Sequence, residues 1–156
     1  MDTLTLARAL HVLAVVHWIG GVAMVTLVLL PGLIRAVPGP ERLRLFELIE
    51  GRFGAQAKLS TLLAGASGLW MTWELDAWGR FVDPASWWMA AMLAVWALFT
   101  VVLFIAEPLV LHRWFHARSL HDPEGTFRLV LRFHRVLLAV SLVTVAGAVL
   151  GAHGAI

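Results

Sequence analysis

Residues 4–30 read LTLARALHVLAVVHWIGGVAMVTLVLL, an apolar run interrupted by Arg8, His11, His17 and two threonines. A helix rises about 1.5 Å per residue and needs roughly 20 mostly apolar residues to cross a bilayer, so this stretch is long enough to span one. It is longer than the apolar core of a cleaved signal peptide, and no strongly basic leader precedes it. Pro31-Gly32 closes it. A short amphipathic segment from Glu41 to Glu50 leads into a second apolar stretch at 53–73; two more follow at 87–111 and 127–151. The whole chain agrees: 60% of its residues are hydrophobic and only 14% charged, against roughly 25% charged in soluble domains. Such a chain has too little charge to solvate its surface and too much apolar area to stay unfolded in water. The expected fold is all-α: an integral membrane four-helix bundle, up-down-up-down, in one domain over 1–156 with the lipid bilayer as its main partner.

Charge placement orients the bundle. Arg35, Arg42, Arg44, Arg52 and Lys58 surround the first connection, and Arg113, Arg118, Arg128, Arg132 and Arg135 the third. The second holds Arg80 alone, among Glu74, Asp76 and Asp83. By the positive-inside rule the first and third connections face the cytoplasm of a bacterial-type inner membrane, with both termini outside. Trp73, Trp78, Trp87 and Trp88 bracket the second connection, as an outer aromatic belt requires. A net charge of +2 is too small to point to nucleic acid. With no cysteine, a metal or cofactor falls to His, Met, carboxylate or backbone.

Seven histidines in so apolar a chain are the main chemical signal, because polar groups at membrane depth are costly. His112 and His134 are expected level across the third and fourth helices, with His116 one turn from His112. They form a candidate axial pair for haem b, with Arg113, Arg132 and Arg135 placed to neutralise its propionates. His17 lies on one face with Gly20 and Gly21, a patch that would admit a flat macrocycle; His11 is about 9 Å further out and on another face. The candidate metal ligands are therefore His11, His17, His112, His116 and His134, with copper the competing ion; Met89 and Met92 are the only closely spaced methionines. Stripes of small residues in the second helix (Gly54, Ala57, Thr61, Ala64, Gly65, Gly68) and the fourth (Ser141, Thr144, Gly147, Ala148, Gly151) suit either close helix packing or a cofactor. Lys58 and Glu107 both fall in the inner half, where they either pair or, for Lys58, snorkel to the headgroups. Pro108 frees a carbonyl beside Glu107, and a proton or cation route is conceivable there.

Ala9-Leu10-His11 followed by His17-Trp18-Ile19-Gly20-Gly21 resembles the first helix of the CopD-like and HemJ-like membrane proteins. Glu50-Gly51-Arg52-Phe53, His112-Arg113 and Arg132-Phe133-His134-Arg135 are similar in layout to the later helix ends of that group. The resemblance implies a four-helix module that binds haem b, with His11 at the position of the first-helix family histidine, or that handles copper. The HemJ-like pattern expects a lysine early in the third helix after a Trp, where this chain has Trp87-Trp88-Met89-Ala90-Ala91-Met92. The expectation is thus a b-type haem protein of the inner membrane, an electron carrier or membrane haem oxidoreductase working with a quinone, a small oxidant or a redox protein, rather than a protoporphyrinogen oxidase. A copper uptake or resistance transporter is the alternative, and a third reading is a structural subunit binding lipid or protein. A homodimer sharing a cofactor is compatible with the first.

Overall fold

Four long helices account for nearly all of the computed structural model, which describes residues 2–154, the side chain of Pro40 excepted. They are α1 (Thr3–Ala36), α2 (Gly39–Glu74), α3 (Pro84–His121) and α4 (Pro123–Ala152). α1 packs along α2 and α3 along α4, giving the expected up-down-up-down bundle. Local chemistry sets the ends. The Asp2 carboxylate accepts from the Leu4 N–H at 3.2 Å, and Asp122 caps α4 by accepting from Gly125 N–H at 2.8 Å. Each satisfies one of the donors a helix start leaves unpaired.

The helices are longer than the expected spans because two features read as breaks are absorbed. Pro31 does not end α1: Val25–Leu29 widens into a π-helical turn, with Leu30 N–H bonded to the Val25 carbonyl, and the helix runs on to Ala36. Pro108 sits inside a longer π-helical stretch, Val102–Leu111, ending in a bond from His112 N–H to the Glu107 carbonyl. A proline lacks the N–H for the ordinary bond and its ring crowds the carbonyl four residues back; a wider turn relieves both. The amphipathic 41–50 segment is likewise continuous with the second apolar stretch in α2.

Three helices, α1, α3 and α4, are long and apolar enough to cross a membrane. α2, 36 residues long, falls short in apolarity, where four spans were expected. Its 53–73 portion carries Gln56, Lys58, Ser60, Thr61, Ser67 and Thr72, and of these Ser60, Thr61, Ser67 and Thr72 are buried against the other helices. The outer surface is that of a lipid-embedded protein: Leu13, Val16, Leu27 and Val28 are all about two-thirds exposed, which water would not tolerate over a contiguous area. Trp73, Trp78 and Trp87 are exposed at the end bearing the second connection.

Two clusters fill the interior. Midway, Trp18 meets Phe99 edge-on at 4.8 Å, among Ala14, Val22, Ala64, Leu137 and Leu138. At the arginine-rich end, Phe46, Phe115 and Phe127 pack mutually at 5.3–5.6 Å over Leu30, Leu33 and Leu43. The small-residue stripes serve packing. A Cβ on Gly65 would overlap the Trp96 indole, one on Gly147 the Trp87 ring, one on Gly151 the Trp88 ring and one on Gly21 the Phe53 ring. Trp96 is also anchored, its Nε1–H donating to the Thr61 carbonyl at 2.9 Å.

Candidate functional site

The polar chemistry concentrates on α2, which faces α1 with one side and α3 with another. On the α3 side, Glu47, Gly51, Gly54 and Lys58 are spaced four, three and four apart and so share a helix face, with Glu50 beside them. Opposite stand Glu107, His112 and His116. Five residues separate Glu107 from His112, which on a regular α-helix would turn them well apart. The π-helical bond from His112 N–H to the Glu107 carbonyl stacks them in successive turns instead.

The result is a ladder of ionisable side chains at the arginine-rich end. Lys58 Nζ lies 2.9 Å from Glu107 Oε2, each side chain 34% exposed. His116 Nδ1 lies 3.1 Å from Glu47 Oε1 nearer solvent. Between these rungs, Glu50 is within electrostatic reach of Glu107, His112, Glu47 and Lys58. Gly51 and Gly54 leave open space on the same face of α2. Glu50 precedes the apolar 53–73 portion of α2. Burial, and next the charge of Glu107, push its carboxyl up to about 7; Glu47 adds to the rise, and His112 and Lys58 oppose it.

A raised carboxyl binds its proton more tightly in the folded state, so this stabilisation is complete below about 4.5 and is lost as pH rises through 7. Glu50→Gln, which keeps the shape and removes the charge, is expected to stabilise the protein at pH 8 by about 2 kcal/mol, allowing for partial solvent screening, and to change nothing at pH 4.5. Thermal midpoints in mild detergent at the two pH values read this directly; a difference independent of pH would show that Glu50 is not held this way.

On its other side α2 receives the α1 histidines. His11 Nδ1 sits 2.9 Å from the Ala64 carbonyl and 3.2 Å from Ser67 Oγ, its ring against Gly68. His17 Nδ1 is 2.8 Å from Ser60 Oγ, with the ring otherwise exposed beside Gly20, where nothing fills the space. His134 donates from Nδ1 to the Val130 carbonyl of its own helix at 3.0 Å. In neutral rings of His11 and His134, a proton held on Nδ1 by a carbonyl leaves Nε2 as the acceptor and ligand atom.

These placements revise the haem geometry read from the sequence. Phe115 stacks on Phe127, and by that register His112 lies opposite Val130, one turn short of His134. His112 instead neighbours the α2 carboxylates. Arg113 is exposed and bonds the Leu109 carbonyl at 2.8 Å, while Arg132 and Arg135 are exposed along α4. Among the described residues no group of three or more His, Asp or Glu converges as a metal centre. Trp96, Trp87, Trp88, Phe53 and His11 occupy the space beside Gly65, Gly147, Gly151, Gly21 and Gly68, whereas the space beside Gly20, Gly51 and Gly54 is open. His17 with Gly20, on the surface of α1, retains both donor and room.

Of this ladder the sequence singles out Lys58, Glu107, His112 and His116 for their chemistry; Glu47 carries no such signal, and Glu50 enters only within the Glu50-Gly51-Arg52-Phe53 likeness. No family model, curated protein or solved structure matches the chain. The fold and composition define its class: a helical bundle with three helices suited to a membrane.

Proposed function

We propose that the protein conducts protons across the membrane, with the α2–α3 seam as the entry from the arginine-rich end. The observation that carries this reading is the 2.9 Å Lys58–Glu107 pair at the head of a ladder of titratable groups. An ion pair inside hydrocarbon is costly, and chains of carboxylates and imidazoles there are the usual form of proton relays. His116, half exposed, meets Glu47 at 3.1 Å where the ladder reaches solvent. Glu50, titrating near 7, takes and releases them at neutral pH. Transfer onward, directly or through one water, neutralises Glu107 and frees the Lys58 ammonium to move. The low apolarity of α2 follows, since a helix lining a charged path cannot be uniformly greasy.

The full chain in sealed vesicles with a trapped pH dye, driven by a potassium gradient and valinomycin, tests this. Proton flux is expected well above that of empty vesicles and roughly tenfold to hundredfold lower in Glu107→Gln. Wild-type flux equal to empty vesicles would overturn the relay.

One observation favours a second reading, the open His17 ring beside Gly20. Here haem b would be held between two copies by their His17 side chains, roughly one and a half turns from His11, the position that the CopD-like and HemJ-like resemblance implies, and the protein would exchange electrons with a quinone or small oxidant. Ser60 orients the imidazole and Gly20 leaves room for a ring. Protein from haem-replete cells is then expected to carry one haem per two chains, with reduced-minus-oxidised bands lost in His17→Ala. Colourless protein with bound copper would favour the transporter alternative, and colourless, metal-free protein would exclude both.

A further inference from the structure

We propose that the arginine-rich end of α3 carries a binding site for a phosphate group, in the cleft formed by His112, Arg113, His116 and Ala117. The cleft has a volume of about 330 Å³ and no carboxylate among these lining residues. Its guanidinium is presented in a fixed way. Arg113 Nη2 donates to the Leu109 carbonyl at 2.8 Å, which locks the guanidinium against its own helix. A guanidinium has five N–H donors, so the rest remain to fork onto a tetrahedral anion. Glu47 engages Nδ1 of His116 at 3.1 Å, leaving Nε2 as the ring's other polar atom.

The surroundings favour a phosphate that carries acyl chains. Leu109 and Val110, immediately before the cleft, are more than half exposed on the outer surface of α3. Trp114 is also exposed, with the Arg118 guanidinium 5.8 Å from its ring centre. A Trp–Arg pair of this kind belongs at headgroup level. Chains lying along Leu109 and Val110 would bring an anionic phospholipid's phosphate to Arg113, as juxtamembrane cationic groups favour. The cleft shares His112 and His116 with the ladder, but a binding isotherm reads the site without any proton flux, so the two readings fail separately.

Titration of the purified full chain in detergent with short-chain phosphatidylglycerol, short-chain phosphatidylcholine and inorganic phosphate, followed by ³¹P line broadening, tests it. Phosphatidylglycerol is expected to bind more tightly than phosphatidylcholine, with affinity about fivefold weaker or more in Arg113→Gln and only partly recovered in Arg113→Lys, which restores the charge without the fork. His116→Gln is expected to weaken it similarly. Both side chains are exposed, so unchanged thermal midpoints exclude misfolding as the cause. Inorganic phosphate that binds with the same dependence on Arg113 identifies the phosphate itself as the recognised group, whereas lipid binding that inorganic phosphate does not displace assigns the site to the membrane lipid. Equal affinity for the two lipids, or undiminished binding in both neutral variants, overturns the proposal.

Discussion

Arg42→Met is expected to lower stability by about 3 kcal/mol, a fall of roughly 6–12 °C in thermal midpoint for a chain of this size. Arg42 is only 4% exposed, and almost every donor on its guanidinium is committed. Nε lies 3.1 Å from the carbonyls of both Leu33 and Val37; Nη2 donates to Ile34 at 3.2 Å and Val37 at 2.9 Å. Nη1 reaches Glu124 at 2.8 Å, and the group lies 5.4 Å from the centre of the Phe127 ring. One side chain from the first turns of α2 thus caps the carbonyl end of α1 and ties it to the start of α4. Methionine fills similar volume but leaves the Ile34 carbonyl and the Val37 carbonyl without this donor. Arg42→Lys should recover less than half of the loss, because a point charge cannot fork across two helix ends and a carboxylate. A midpoint within about 2 °C of wild type in Arg42→Met would show that water replaces the clamp at no cost.

Arg42 also marks where the sequence stops being legible. Hydropathy identifies long apolar helices because burial in lipid demands it. Arg42 reads only as one basic residue among the five around the first connection; its role depends on the Leu33, Ile34 and Val37 carbonyls, which come together where α1 ends at Ala36 rather than at Pro31. The same cause hid the ladder. On an α-helical period Glu107 and His112 point apart, and the π-helical stretch that aligns them has no simple sequence signature beyond Pro108. Glu47 and Glu50 sit in a segment that reads as a separate amphipathic helix, so their continuity with Lys58 was out of view. The glycine stripes were ambiguous for another reason: the same lack of a side chain admits a macrocycle or an indole, and only the partner helix decides. Here Trp96, Trp87 and Trp88 decide it.

The Lys58–Glu107 pair allows a structural role to be separated from a conducting one. Lys58→Met should leave the Glu107 carboxylate unpaired beside hydrocarbon and cost about 1–2 kcal/mol, reduced from the value for a fully buried pair by the partial exposure of both groups. Glu107→Gln should strand the ammonium at lower cost, because the four-carbon stem of lysine can carry its charge toward the headgroups. The double variant removes both charges, so its stability is expected to return to within about 0.5 kcal/mol of wild type, a positive coupling measurable by a double-mutant cycle. Proton flux should behave differently. If the pair only holds α2 to α3, restoring stability restores flux. If Glu107 carries the proton, the double variant is as stable as wild type and as silent as Glu107→Gln alone. Flux that recovers together with stability would reduce the pair to a packing device and remove the relay's upper rung.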